Sequence, residues 1–131
     1  MGTRGSFGIE EPDGSVSAIY CGHDSYLSHA GDILVTHYGT PEKFRALLAL
    51  GDVSSVAETL DKTEDYHRKA GEPYDDVKPR TFKDVSDYCD NGFDVMDAAY
   101  LYLMSGSTWF VSTRRGADPQ PITRAMIEKD N

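Results

Sequence analysis

Ser6 to Glu10 alternates, with Phe7 and Ile9 on one face of an extended segment, the period of a half-buried strand. Glu11-Pro12-Asp13-Gly14 follows, a turn in which Pro presets φ and Gly accepts a positive φ. Ser15 to Cys21 resumes the alternation, with Val16, Ala18 and Tyr20 opposite Ile19, so the two runs predict a β-hairpin. From Tyr26 the period changes. Leu27, Ala30, Ile33, Leu34, His37 and Tyr38 recur at helical spacing, with Ser25 as the expected N-cap and Gly39 as the stop. Thr40-Pro41-Glu42 opens a second helix whose buried face is Phe44, Leu47 and Leu48, ended by Gly51. Residues 58–80 are polar, mixed in charge and weakly periodic, and read as a mobile excursion. Phe82, Val85 and Cys89 then mark a short amphipathic helix. Tyr100 to Leu103, Ser105-Gly106-Ser107 and Trp109 to Thr113 form a second hairpin, its first arm apolar on both faces as a central strand requires. The tail, 117–131, carries Pro119, Pro121 and the spacing of a short helix over Ile122–Lys129. These elements predict a single α+β domain over 1–131, with an antiparallel sheet of about four strands, two β-hairpins, and short helices packed on one face.

Composition narrows the class without naming an activity. Of 131 residues, 39% are hydrophobic and 27% charged, the balance of a globular chain. No apolar run is long enough to span a membrane, and no apolar export segment is present, so a cytoplasmic setting is expected. Two cysteines, Cys21 and Cys89, suit reduced thiols better than a disulfide scaffold, with a Cys21–Cys89 bridge as the alternative. The net charge is −9, which argues against direct contact with nucleic acid. The surplus is concentrated: residues 1–57 carry −4, residues 58–97 carry −6 and residues 98–131 carry +1. Within the middle third, Asp84, Asp87, Asp90, Asp94 and Asp97 recur every three or four positions. On a helix, Asp84, Asp87 and Asp90 would share one face, where like charges cost stability and a basic partner would relieve the strain. A solvated surface that keeps a small protein soluble is the plainer account.

Reactive side chains are densest at the end of the second strand and along the following helix: Cys21, His23, Asp24, His29, Asp32 and His37. Such groups suit a transition metal, but no Cys-x-x-Cys or His-Glu-x-x-His spacing occurs, and a polar strand-to-helix corner is the favoured reading. A catalytic Cys21 would need a base such as His23 and an orienting carboxylate such as Asp24. Against this, a cysteine inside an alternating strand is usually a small buried hydrophobe. No phosphate-cradling glycine loop and no nucleophile elbow is present. Arg114-Arg115-Gly116 offers an anion contact. On these residues no catalytic group, metal or cofactor is assigned.

Thr3-Arg4-Gly5-Ser6-Phe7-Gly8-Ile9-Glu10, Asp13-Gly14-Ser15-Val16, Ala18-Ile19-Tyr20-Cys21, Asp24, Tyr26, Gly31, Leu34 and His37-Tyr38 form a recognisable series. It resembles a family of small, mostly uncharacterised proteins encoded by bacteriophages and by bacterial genomes carrying mobile DNA, whose members read "TR…IG…DGSV…IYCHWDGYP…VG…L…HY". The family's "ALGD-x-SS" is matched by Ala49-Leu50-Gly51-Asp52-Val53-Ser54-Ser55. Its "Y-x-Y-L…W-x-V" hairpin is matched by Tyr100-Leu101-Tyr102-Leu103 and Trp109-Phe110-Val111. The chain departs where the family has Cys-His-x-Asp-Gly-Tyr-Pro and this sequence has Cys21-Gly22-His23-Asp24-Ser25-Tyr26-Leu27. The resemblance implies a phage or mobile-element setting and supplies no reaction.

Two functions are therefore expected from different classes. The first is an acidic, anti-CRISPR-like phage protein that inhibits a host defence complex, of CRISPR-effector or restriction type, by occupying the basic channel that holds nucleic acid. Its partner-binding residues would be Asp84, Asp87, Asp90, Asp94 and Asp97, with Tyr100 and Tyr102 facing outward from the uncovered sheet face while Leu101 and Leu103 pack inward. The second is a small-molecule, nucleotide or metal-binding protein, a ligand sponge or minor hydrolase, using Cys21, His23, Asp24 and Tyr26 with Arg114 and Arg115 as anion contacts.

Overall fold

A computed structural model describes residues 2–130. Strands β1 (Gly5–Glu10) and β2 (Val16–Cys21) form the first hairpin in antiparallel register, Phe7 opposite Ile19. Its turn closes as the residues dictate. Gly14 takes φ +90°, the Glu11 amide donates to the Ser15 carbonyl at 2.7 Å, and the Asp13 carboxylate accepts from the Ser15 amide and hydroxyl. The second hairpin, β6 (Tyr100–Ser105) and β7 (Thr108–Ser112), is also antiparallel.

The joining of the hairpins overturns the expected sheet. β6 lies beside β1 in parallel register, Phe7 opposite Tyr102, so the sheet is mixed and not antiparallel throughout. Nor does it stop at four strands. Four short strands are added: β3 (Val53–Ser55), β4 (Glu64–Asp65), β5 (Arg80–Phe82) and β8 (Gln120–Pro121). Among the described residues eight strands contribute, in the order β4-β3-β2-β1-β6-β7-β8, with β5 on the remaining length of the β2 edge. Segment 58–80 thus contributes β4, the single-turn helix α3 (Tyr74–Val77) and the first residue of β5, and it buries Thr63, Asp65 and Val77. Hairpin pairing follows from local turn chemistry. The direction of a strand added across a long connection is set by where the intervening helices pack, which no local pattern encodes.

Helices cover both faces, the second correction. On the first face Phe7, Ile9, Ile19, Tyr102, Met104 and Trp109 pack against Leu34 of α1 (Asp32–His37) and against Phe44, Leu47 and Leu48 of α2 (Pro41–Leu48), with α5 (Arg124–Lys129) alongside through Met126. The opposite face holds Val16, Ala18, Leu101 and Leu103 under Tyr88 of α4 (Val85–Val95) and under Met96. β1 accommodates Tyr88 by presenting small residues there: a Cβ on Gly8 would meet Val16 at 3.0 Å and the Tyr88 ring at 3.2 Å. The Tyr88 hydroxyl hydrogen-bonds with Ser6 Oγ at 2.9 Å and to the Tyr102 carbonyl at 3.0 Å. A buried hydroxyl left unpaired there would cost its full desolvation.

Tyr102 consequently does not face outward. It is fully buried, donates to the Ser25 carbonyl at 2.6 Å and meets Phe7 edge-on at 5.7 Å. Tyr100 is half-buried and stacks on Tyr102. With α4 on the second face, Leu101 and Leu103 are buried as well, so β6 is a central strand on both sides, as its doubly apolar pattern indicated.

The outer edge of β2 is shared by two strands, which leaves a gap. β5 pairs with Val16 to Ala18, and β3 pairs at Cys21 alone. Tyr20, between them, donates its amide to Asp52 Oδ1 at 2.8 Å, and the same oxygen accepts from the Arg80 guanidinium of β5. Asp52 is only 4% exposed, so its charge depends on these partners. Asp52→Ala removes the carboxylate, orphans the Tyr20 amide and leaves Arg80 unpaired; the expected loss is about 3 kcal/mol, at the low end for a broken buried pair because Arg80 is partly solvated. Asp52→Asn retains an acceptor and should cost roughly half as much. Urea denaturation with an unchanged m-value tests both; equal stability of all three proteins would remove Asp52 from this role.

Candidate functional site

The β2-to-helix corner holds the residues singled out for chemistry, and its backbone shape disperses them. After Cys21 the chain turns through Asp24, whose φ of +59° is tolerated by an aspartate. It enters α1 through a π-helical turn, Leu27–Gly31, in which the Gly31 amide reaches the Tyr26 carbonyl. Ser25 does not cap this helix. It is buried beneath Gly5, where its Oγ donates to the Cys21 carbonyl and its amide to the Thr3 carbonyl. The Asp130 carboxylate accepts from the Ser28 amide at 2.9 Å, satisfying an N–H in the opening turn.

Cys21 lies in the core with its Sγ donating to the His23 carbonyl at 3.3 Å. Burial pushes its thiol up to about 11, against weaker opposing hydrogen bonds from Ser25 and His23. It is therefore protonated at neutral pH, and a thiol is a poor nucleophile and metal ligand. His23 is exposed and turns its Nδ1 to Ser54, 3.2 Å from both the carbonyl oxygen and Oγ. Asp24 is exposed, and Tyr26 sits 6.0 Å from the ring of His29. Asp32 is engaged by Arg124 at 2.7 Å and by Thr36. Among the described residues, no three His, Cys, Asp or Glu side chains come together to hold a metal ion. The catalytic geometry of thiol, base and orienting acid is not assembled at this corner.

Cys89 is a second free, buried thiol, raised by burial and by the neighbouring charges of Asp90 and Asp118. Thiol-specific reagents such as Ellman's should modify neither cysteine in the native protein and both after unfolding, with rates that follow the unfolded fraction. Rapid native reaction of one thiol would contradict this assignment.

The aspartate series is tied to α4 and its surroundings. Asp84 is the N-cap, its carboxylate accepting from the Asp87 amide at 2.8 Å. Asp87 accepts in return from the Lys83 amide and from Asn91, which hold its carboxyl below the usual range. Both charges stand at the helix N-terminus, where the dipole favours them, so they are not the repulsive stack that spacing suggested. Asp94 pairs with Arg115, and Asp97, at φ +49°, pairs with Arg4 at 3.2 Å. Asp90 contributes its carbonyl to Arg115. Arg115 is thus held on α4, whereas Arg114 lines a cavity of about 400 Å³ beside Leu27 and Met126.

A different acidic surface has less internal bonding of this kind. At α3, Tyr74 is exposed at 36% and stands between Glu72, Asp75 and Asp76, all exposed. The Tyr74 ring is oriented by an edge contact with His67 at 5.4 Å and by a hydroxyl that donates to the Ala49 carbonyl at 2.9 Å. Of the three acids only Asp75 has a cation within 4 Å among the described residues, Lys78 at 3.6 Å. The signal in the sequence was Glu72-Pro73-Tyr74-Asp75-Asp76, an aromatic inside an acidic run. It lay in a stretch too polar to suggest a structured surface.

No family model, curated protein or solved structure matches this chain. No helix among the described residues is long and apolar enough to cross a membrane.

Two exposed ion pairs give the protein an acid-sensitive component. The Arg45 guanidinium beside Glu11, with Ser17, and the Arg124 guanidinium beside Asp32, with Thr36, hold those carboxyls below their ordinary values. A carboxyl depressed by folding stabilises the native state above its unfolded value and loses that contribution as pH falls through the folded one. The urea midpoint should therefore decline below about pH 4.5. The double variant Glu11→Gln, Asp32→Asn should show a shallower decline, and an identical acid profile would exclude these pairs as its source.

Proposed function

We propose that this protein is a non-enzymatic binding protein whose acidic surface docks on a basic host protein, in keeping with its resemblance to phage and mobile-element proteins. The defence nucleoprotein complexes that line a channel with Lys and Arg are the partner class of matching charge. The observation that carries the reading is the exposed Tyr74 set among Glu72, Asp75 and Asp76. An amphipathic aromatic held in one orientation and flanked along the chain by exposed carboxylates combines an anchor with long-range steering. The net charge of −9 supports the same partner class and disfavours nucleic acid itself. The protonated, buried thiols and the dispersed polar groups of the β2 corner favour binding over catalysis.

Asp84 and Asp87 are left unchanged in the test, because neutralising either would also remove a bond that caps α4. The test uses affinity capture from a phage-bearing host, identification of the partner, and titration of the purified pair. The triple variant Glu72→Gln, Asp75→Asn, Asp76→Asn should slow association by about tenfold at low ionic strength and flatten its salt dependence. Tyr74→Ala should speed dissociation while Tyr74→Phe binds normally. Binding unaffected by all of these, or a nucleic acid as the direct ligand, would overturn the proposal.

A further inference from the structure

Six of the seven arginines are ion-paired: Arg4 with Asp97, Arg45 with Glu11, Arg68 with Asp65, Arg80 with Asp52, Arg115 with Asp94 and Arg124 with Asp32. Arg114 is the exception. Among the described residues its side chain has no ion pair and no hydrogen-bond partner. In a chain with nine surplus negative charges, this guanidinium is the one left available to an outside anion.

The loop after β7 explains how Arg114 is kept apart. Arg115 is bound to Asp94 and to the Asp90 carbonyl, and the Gly116 amide donates to the Cys89 carbonyl at 3.2 Å, so this part of the loop is fastened to α4. Ser112 Oγ reaches the Arg114 and Ala117 carbonyls and the Ala117 amide donates to the Arg114 carbonyl, which folds the loop into a fixed arch. Arg114 then lines the open cavity of about 400 Å³ between this arch, the π-helical turn and α5. Leu27, Val111 and Met126 give it an apolar wall, and Thr113 and Gln120 add polar groups.

We propose that this cavity binds a small monocarboxylate with an apolar body. A guanidinium presents a planar fork that matches a carboxylate, and the apolar wall suits a short hydrocarbon chain. The volume lies within the range of small-molecule sites. Asp118 also lines the cavity, and with the overall charge of −9 it opposes ligands of higher negative charge, phosphate esters and nucleotides among them. The site is separate from the α3 surface, and neither proposal depends on the other.

The probe is hexanoate, titrated to millimolar concentration against isotope-labelled full-length protein and followed by NMR, with hexanol, inorganic phosphate and AMP as parallel arms. Shifts should be confined to Leu27, Val111, Thr113, Gln120 and Met126 and should saturate with hexanoate alone. Arg114→Ala should weaken binding by about tenfold or more, the worth of a charge-assisted hydrogen bond. Its melting temperature should match the wild type, since the side chain has no internal partner to lose. The proposal is overturned if hexanoate produces no saturable shifts, if hexanol or the phosphates bind as well as hexanoate, or if Arg114→Ala binds hexanoate like the wild type.

Discussion

A single buried carboxylate closes the sheet where backbone pairing fails. β2 needs an outer neighbour along its whole length, and two short strands from distant parts of the chain, β3 and β5, each supply a portion. Asp52 bridges the interval by taking the Tyr20 amide and the Arg80 guanidinium on one oxygen. Its backbone extends the link: the Asp52 amide donates to the Val77 carbonyl, and the Tyr66 amide donates to the Asp52 carbonyl. One residue thereby connects β2, β3, β5 and the polar segment that follows. Gly51 allows it to sit there. At φ +82°, with an ideal Cβ 2.5 Å from the Val77 carbonyl oxygen, that position has no room for a side chain.

The same logic governs the charges elsewhere. Asp65 is 1% exposed and is held by the Arg68 guanidinium and amide, which fixes the stretch after β4. Arg45 reaches back to Glu11 beside the first hairpin turn, and Arg124 joins α5 to α1 through Asp32. Arginine is suited to these tasks because its fork spans two elements and stays charged at any physiological pH. The cations are largely consumed inside the architecture, and the surplus of carboxylates is left to solvent. An acidic surface is thus a consequence of how the fold is fastened, and α3 is the part where exposed carboxylates flank an exposed aromatic along the chain.

The β2 corner shows why clustered reactive residues in a sequence need not make a reactive site. Cys21, His23 and Asp24 are near neighbours along the chain, yet alternation buries the first, and the turn points the second at Ser54 and the third at solvent. A strand end projects successive side chains in different directions. What the corner does provide is structural: Ser25 and the hydroxyl of Tyr102 fasten the sheet to the segment that leads into the π-helical turn.

Local chemistry was sufficient for the elements whose determinants lie within a few residues. The Pro12-Asp13-Gly14 turn, both hairpins, the Thr40 cap with Pro41, and the buried face of α2 could all be read from the sequence, because each rests on φ preferences or a period that a short window contains. The doubly apolar β6 was legible as a central strand for the same reason. Tertiary structure alone decided that β6 would lie parallel to β1, that α4 would cover the second face over both leucines while Tyr102 is buried on the first, and that Asp52 would find Tyr20 and Arg80. It also decided that most of the α4 aspartates would be taken up by caps and arginines while Arg114 remained free. Those outcomes depend on which distant segments meet. Such meetings are selected by the burial of whole faces and the pairing of buried charges, free energies that exist only once the chain has closed on itself.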